Sequence, residues 1–179
     1  MDARATIMTT ATGALAAVLD DLAAAIDSLS DAQFADSAIP GVSGSVGGHV
    51  RHCLDHVRAL ERGIEQGLVD YDARERNNRV ESDRLLAWSL LVSARRRVAA
   101  LPAGVLSRPV VVRTRVHAAS AALEVLSTFE REVSFVIAHT IHHCATIAVL
   151  AGVGPGRLPA RFGVAPGTPL ESVGAACAP

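Results

Sequence analysis

The sequence predicts an all-α fold, a four-helix bundle with a short β excursion before its last long helix. Four long stretches repeat apolar residues at three- and four-residue steps, the period of an amphipathic helix. A β-branched run, Val110 to Val116, interrupts them before the fourth. Of the 179 residues, 50% are hydrophobic and 20% charged, which excludes a disordered chain. Only 3% are aromatic, so the core has to be built from Ala, Leu, Val and Ile. That length suits one domain, residues 1–179, with 153–179 a Gly- and Pro-rich tail.

The first helix is predicted from about Thr10 to Leu29, on the repeat Leu15, Val18, Leu19, Leu22, Ile26 and Leu29. Ser30-Asp31 and Pro40-Gly41 mark a connection. A second helix begins near Ser43 or Ser45 and stops at Gly67, on Val46, Val50, Cys53, Val57, Leu60 and Ile64. A polar stretch from Asp70 to Arg79 follows, dense in both charge signs. The third helix runs from about Ser82 to Ala100, ahead of Pro102. Val110 to Val116 reads as a short strand that pairs with Leu123 to Leu126. The fourth helix is placed from Ser127 to Ala151, with Ser127 and Glu130 as a capping box and Gly152 as the stop.

Charge excludes several functions. The formal net charge is -1, and every one of the 17 basic residues is Arg. With no Lys there is no Schiff base and no Walker lysine. Without a basic excess, nucleic acid is not an expected partner, and Arg95-Arg96-Arg97 reads as a solvated helix face. The longest apolar stretch, Val133 to Val153, carries His139, His142 and His143 near its middle, which argues against a membrane span. No signal-peptide pattern opens the chain, and Cys53, Cys144 and Cys177 form no disulfide framework. A reducing, cytoplasmic setting is expected.

Six of the seven histidines fall in two clusters, His49-Val50-Arg51-His52-Cys53-Leu54-Asp55-His56 and His139-Thr140-Ile141-His142-His143. At about 100° per residue, His49, His52 and His56 share an arc of about 60°. His139 and His143, at i and i+4, project from adjacent turns and flank the apolar stripe of Val133, Val136, Thr140, Cys144 and Ile147. His142 points away. Neutral imidazoles on two facing helices suit one divalent ion, Zn, Ni, Fe or Mn. Three ligands leave open positions, the pattern of a catalytic metal that activates a bound water or thiol. On helix two the wheel places His49 nearest the apolar stripe, His52 further out and His56 between.

The motifs Ser45-Val46-Gly47-Gly48-His49-Val50-Arg51-His52, Asp70-Tyr71-Asp72-Ala73-Arg74-Glu75-Arg76, Ser127-Thr128-Phe129-Glu130-Arg131-Glu132 and His139-Thr140-Ile141-His142-His143 resemble the DinB-like (YfiT-type) metalloenzymes, in order and spacing over roughly residues 10 to 152. Phe162-Gly163-Val164-Ala165-Pro166 is similar to the tail of an uncharacterised subgroup. The resemblance implies a four-helix bundle with one metal on three histidines, one from helix two and two from the last helix. Carried over, these are His52, which follows Ser45 by seven residues, with His139 and His143. His49 is then the alternate ligand or a supporting group. It also implies a metal-dependent transferase of low-molecular-weight thiols or a thiol-dependent isomerase. With an ion that activates a water or a thiol, the expected reaction on a small molecule is thiol transfer or hydrolysis.

Other residues have assignable roles. His56, Asp55 and His142 are expected to support the ligands or to serve as alternates, Asp55 by orienting an imidazole or else as an exposed helix charge. Tyr71, Arg74 and Arg76 are candidate substrate contacts, the two guanidinium groups suiting a carboxylate or phosphate; the competing reading is a salt-bridge network with Asp70, Asp72, Glu75 and Glu81. Cys53 and Cys144 fall on apolar stripes and read as small core residues. An apolar face on the first helix would suit a homodimer. The competing class is a non-catalytic bundle that binds a small ligand or dimerises, with a structural or vestigial metal site.

Overall fold

The computed structural model describes residues 10–36, 39, 41–73, 78–152 and 156–169. Among them are seven helices and one three-stranded sheet. The helices are α1 (Ala11–Asp27), α2 (Asp31–Ala35), α3 (Val46–Gln66), α4 (Arg79–Ser82), α5 (Arg84–Ala99), α6 (Ala103–Leu106) and α7 (Phe129–Ala151). The strands are β1 (Leu68–Asp70), β2 (Pro109–Thr114) and β3 (Leu123–Thr128).

The four long helices α1, α3, α5 and α7 surround one core. α1 lies along α5 and α7, and α3 packs on α7 and α5. Leu15, Leu19, Leu22 and Ile26 of α1, Val50, Cys53 and Val57 of α3, Leu91 and Val98 of α5, and Val136 and Ile147 of α7 are all fully buried. Burial of this apolar surface is the main stabilising term, and the aliphatic composition matches it. α7 is the one described helix long and apolar enough to cross a membrane. Its Val133, Val136, Thr140, Cys144 and Ile147 edge is buried, and His139, His142 and His143 interrupt its apolar run.

Helix ends follow local chemistry. The Thr10 hydroxyl accepts from Gly13 N at 3.1 Å, and the Ser45 hydroxyl from Gly48 N at 3.0 Å. Gly67 stops α3 in the left-handed region, at φ +71. Between α4 and α5 the backbone opens at Asp83, whose carboxylate caps Leu86 N at 2.9 Å. The predicted third helix is α5, and the short helix α4 precedes it across this joint.

β2 and β3 pair antiparallel, from Pro109↔Thr128 to Thr114↔Leu123. This ladder displaces the expected start of the last helix. Ser127 is held extended opposite Val110, so the cap falls to Thr128, which accepts from Arg131 N. The Ser127/Glu130 box does not form; Ser127 donates to Glu132 instead. Four elements lie outside the sequence expectation: the short helices α4 and α6, the strand β1, which pairs parallel with β2, Leu68↔Val111, and α2, which opens with a Ser30/Gln33 capping box and buries Phe34.

Beyond α7, residues 156–169 fold back over the helices. The Arg161 guanidinium donates to the carbonyls of Ala165, Pro166 and Thr168, which makes the tail a compact loop. Gly163, at φ +75, lets this loop lie directly on α7: a Cβ there would collide with the backbone of Cys144 and Ala145.

Candidate metal centre

α3 and α7 face each other, with His52 and His56 meeting His139 and His143 between them. His52 and His56 sit one turn apart on α3, and His139 and His143 one turn apart on α7. The His52 Nε2 and His139 Nε2 atoms are 2.8 Å apart, across the helix interface. The His56 ring stacks on His139 at 4.1 Å. His52, His56 and His139 each offer one nitrogen, and the three nitrogens lie within 4.8 Å of one another. Two imidazole nitrogens on one divalent ion stand roughly 3 Å apart, because each metal–nitrogen bond is about 2.0–2.1 Å. The cross-helix pair already has that spacing.

The protons are placed by their partners. His56 Nδ1 lies 3.0 Å from the His52 carbonyl. A carbonyl only accepts, so His56 carries its proton on Nδ1 and keeps its lone pair on Nε2. A backbone group that fixes the tautomer in this way prepares an imidazole for a metal.

His143 adjoins the same group. Its ring lies 4.6 Å from both the His52 and His139 rings. Its Nδ1 faces His49 Nδ1 at 2.8 Å. Burial, then the neighbouring His139 and His49 imidazoles, hold the His143 pKa down to about 3. Burial also lowers His49, against a hydrogen bond with the Ser43 carbonyl that raises it. At neutral pH both rings are uncharged.

The predicted residues thus separate. His52 and His139 meet in the converging group, and His56, expected to support it, supplies the third nitrogen. His143 pairs with His49. His142 is exposed, and its ring meets the His143 ring edge-on at 5.3 Å. Asp55 is a correction: its buried carboxylate goes to guanidinium groups of its own helix, Arg51 at 2.7 Å and Arg58 at 3.8 Å, and Arg51 continues to Glu81 at 2.6 Å. This is a structural ion-pair network, since Arg at i−4 and i+3 reaches Asp55 along the helix surface.

Tyr71 lies beside the histidines. Its ring stacks on His56 at 5.2 Å, and Phe135 closes the same wall at 5.1 Å from Tyr71 and 5.7 Å from His139. A cavity of about 330 Å³ opens on the far side of this aromatic pair, between β2, β3 and the start of α7, with Arg131 and Leu126 in its wall. Arg74 and Arg76 lie outside the described residues.

Glu132 is the functional-looking residue that the sequence expectation missed as a site member. It is fully buried and accepts from Tyr71 Oη at 2.9 Å, Ser127 Oγ at 2.6 Å and Arg131 at 3.0 Å. A buried carboxylate requires such donors. Burial first, then the Glu132 charge, push the Tyr71 phenol above its ordinary pKa. The only sequence signal was an acid at a position in phase with the buried face of α7 (Glu132, Val136, Thr140).

Cys53 and Cys144 are buried free thiols. Desolvation raises both, Cys144 to about 12, so neither is a thiolate at neutral pH. Comparison with known proteins returned no matching family model, no matching curated protein and no matching solved structure.

The donor set, three imidazole nitrogens of which one has its tautomer set by a backbone carbonyl, fits a borderline divalent ion, and the Tyr71 and Phe135 rings flank it.

Proposed function

We propose that the chain is a divalent-metal-dependent protein of the DinB-like type, its four long helices forming that four-helix bundle, and that it acts on a small molecule in the cytoplasm. The observation that carries this reading is the convergence of His52, His56 and His139 nitrogens from two helices onto one point. Zn, Ni, Fe or Mn would be held there, with His52 and His139 bridging the helices and His56 held in register by the His52 carbonyl. When bound, such an ion supplies a lowered pKa for a coordinated water or thiol. The reaction class is thiol transfer or hydrolysis. Tyr71 and Phe135 shield one flank of the histidines, and the cavity behind them offers a small substrate an apolar wall with the Arg131 cation.

One observation favours a non-catalytic reading. Asp55 and Glu132, the buried carboxylates nearest the site, are both committed to other partners, so neither is free to act as a general base.

Elemental analysis of tag-free protein purified without chelators separates metal binding from its absence. About one equivalent of a transition metal per chain is expected, and it is expected to vanish in His52→Ala/His139→Ala. A metal-free wild-type protein that takes up none of Zn(II), Ni(II), Mn(II) or Fe(II) on titration would remove the proposal. If metal is bound, turnover of an electrophile by a low-molecular-weight thiol, or of an ester or amide by water, distinguishes the enzyme from the binding module.

A further inference from the structure

The hydrogen bonds of β2 decide which backbone groups of β3 face outward. Val111 N donates to the Gly67 carbonyl, and Tyr71 N donates to the Arg113 carbonyl. Val111 and Arg113 thus face β1, and by alternation Val110, Val112 and Thr114 face β3. Their partners Ser127, Val125 and Leu123 face back into the ladder, and Phe129 N continues the same phase by donating to the Arg108 carbonyl. Glu124 and Leu126 are left with N–H and C=O groups aimed away from the sheet. β3 is an edge strand, since only β2 pairs with it among the described residues. Sheet edges usually carry charges, proline or bulges that discourage pairing. β3 has six residues, one charge and no proline. Leu126 is 84% exposed, and Leu123, Val125 and Val116 are exposed with it. Leu15, Leu19, Leu22 and Ile26 of α1, by contrast, are spent in the core.

We propose that two copies of the chain join edge to edge through β3, antiparallel about a two-fold axis at Leu126, so that their two three-stranded sheets become one. The axis sets Leu126 opposite itself. Its outward N–H and C=O meet those of the second copy, and the most exposed of these apolar side chains leaves water. The same axis sets Glu124 of one copy opposite Thr128 of the other, which keeps the two Glu124 carboxylates apart. Charge favours this register. A hollow of about 420 Å³ lies beside the edge, bordered by Leu126, Ser127, Thr128 and Arg131. The Arg131 guanidinium is exposed and, among the described residues, gives one N–H to Glu132. Glu124 of the second copy arrives at this hollow, so an acid meets a guanidinium on each side of the axis. An unrelated extended peptide would find the same backbone groups without this doubled charge match. Leu126 also lines the cavity beside Tyr71, so pairing holds one wall of that cavity in place.

The test uses the full-length, tag-free protein. Sedimentation equilibrium should report twice the chain mass, falling to one chain mass on dilution. In the same samples, residue-resolved hydrogen exchange should find the Glu124 and Leu126 amides protected in the dimer and exchanging freely after dilution. The Val125 amide, inside the ladder, should stay protected at both concentrations. Leu126→Pro deletes an N–H that only a second copy would use, and an edge strand accepts proline at such a position. It should abolish the dimer while the far-ultraviolet circular dichroism keeps its helical signal. Glu124→Arg sets like charges across the edge and should weaken the dimer at least about 10-fold. A wild type that remains a monomer at about 100 μM overturns the proposal. So does a dimer that persists in Leu126→Pro, because it must use another face. If Leu126→Pro fails to fold, the wild-type exchange pattern decides: Glu124 and Leu126 amides that exchange freely in the dimer overturn the proposal as well.

Discussion

Crowded imidazoles resist protonation, and His143 resists it most clearly. Its pKa is held near 3 by burial and by neighbouring rings, against an ordinary value of 6.5. In the unfolded chain the same ring takes a proton at about pH 6.5. Below that pH the unfolded state binds a proton that the folded state refuses, so acid favours unfolding. Metal-free protein is expected to lose thermal stability steadily from about pH 6.5 toward pH 3. In His143→Gln the slope of melting temperature against pH should flatten over that window; an unchanged slope would assign the acid sensitivity to other groups. At this scale the sequence was legible in part. The i, i+4 pairs and the i, i+3 step put the right residue types on facing helices. They did not say whether His49, His52 or His56 meets the last helix, because an arc of about 60° is narrower than the uncertainty in how two helices cross.

Helices α1, α3, α5 and α7 were readable because a long amphipathic period leaves little choice of buried face. Gly67 and Gly152 ended two of them where their left-handed backbone requires. The short elements were not readable. β1 has three residues, and its pairing partners lie more than forty positions further along, so nothing local encodes it. The start of α7 is a case of long-range structure overriding a local signal, since the β2–β3 ladder moves the cap from Ser127 to Thr128. Thr128→Ala is accordingly expected to cost about 1 kcal/mol in chemical denaturation, the usual value of a lost N-cap. Gly163→Ala should cost more, about 2 kcal/mol, because it combines a strained φ with a clash against α7. Hydrogen exchange in that variant should accelerate first in the tail loop around Phe162, before the helices open.

In the whole molecule, two helices carry the candidate ligands, two complete the core behind them, and the small sheet sets the start of α7 and one wall of the adjoining cavity. Helical class and the two histidine-bearing helices could be read from periodicity. The aromatic wall could not, because Tyr71 and Phe135 are far apart in sequence and meet only once β1 has docked beside α3. That wall has an optical consequence. Tyr71 is the chain's one tyrosine and lies nearly parallel to His56, at 20° between ring planes. Its phenol emission should darken when His56 holds an open-shell ion such as Ni(II), and persist with closed-shell Zn(II). Trp88, the one tryptophan, sits 39% exposed on α5 and emits at longer wavelength. The chain thus contains an indicator dye and a reference dye of its own, and a titration in a fluorimeter can follow occupancy without any label.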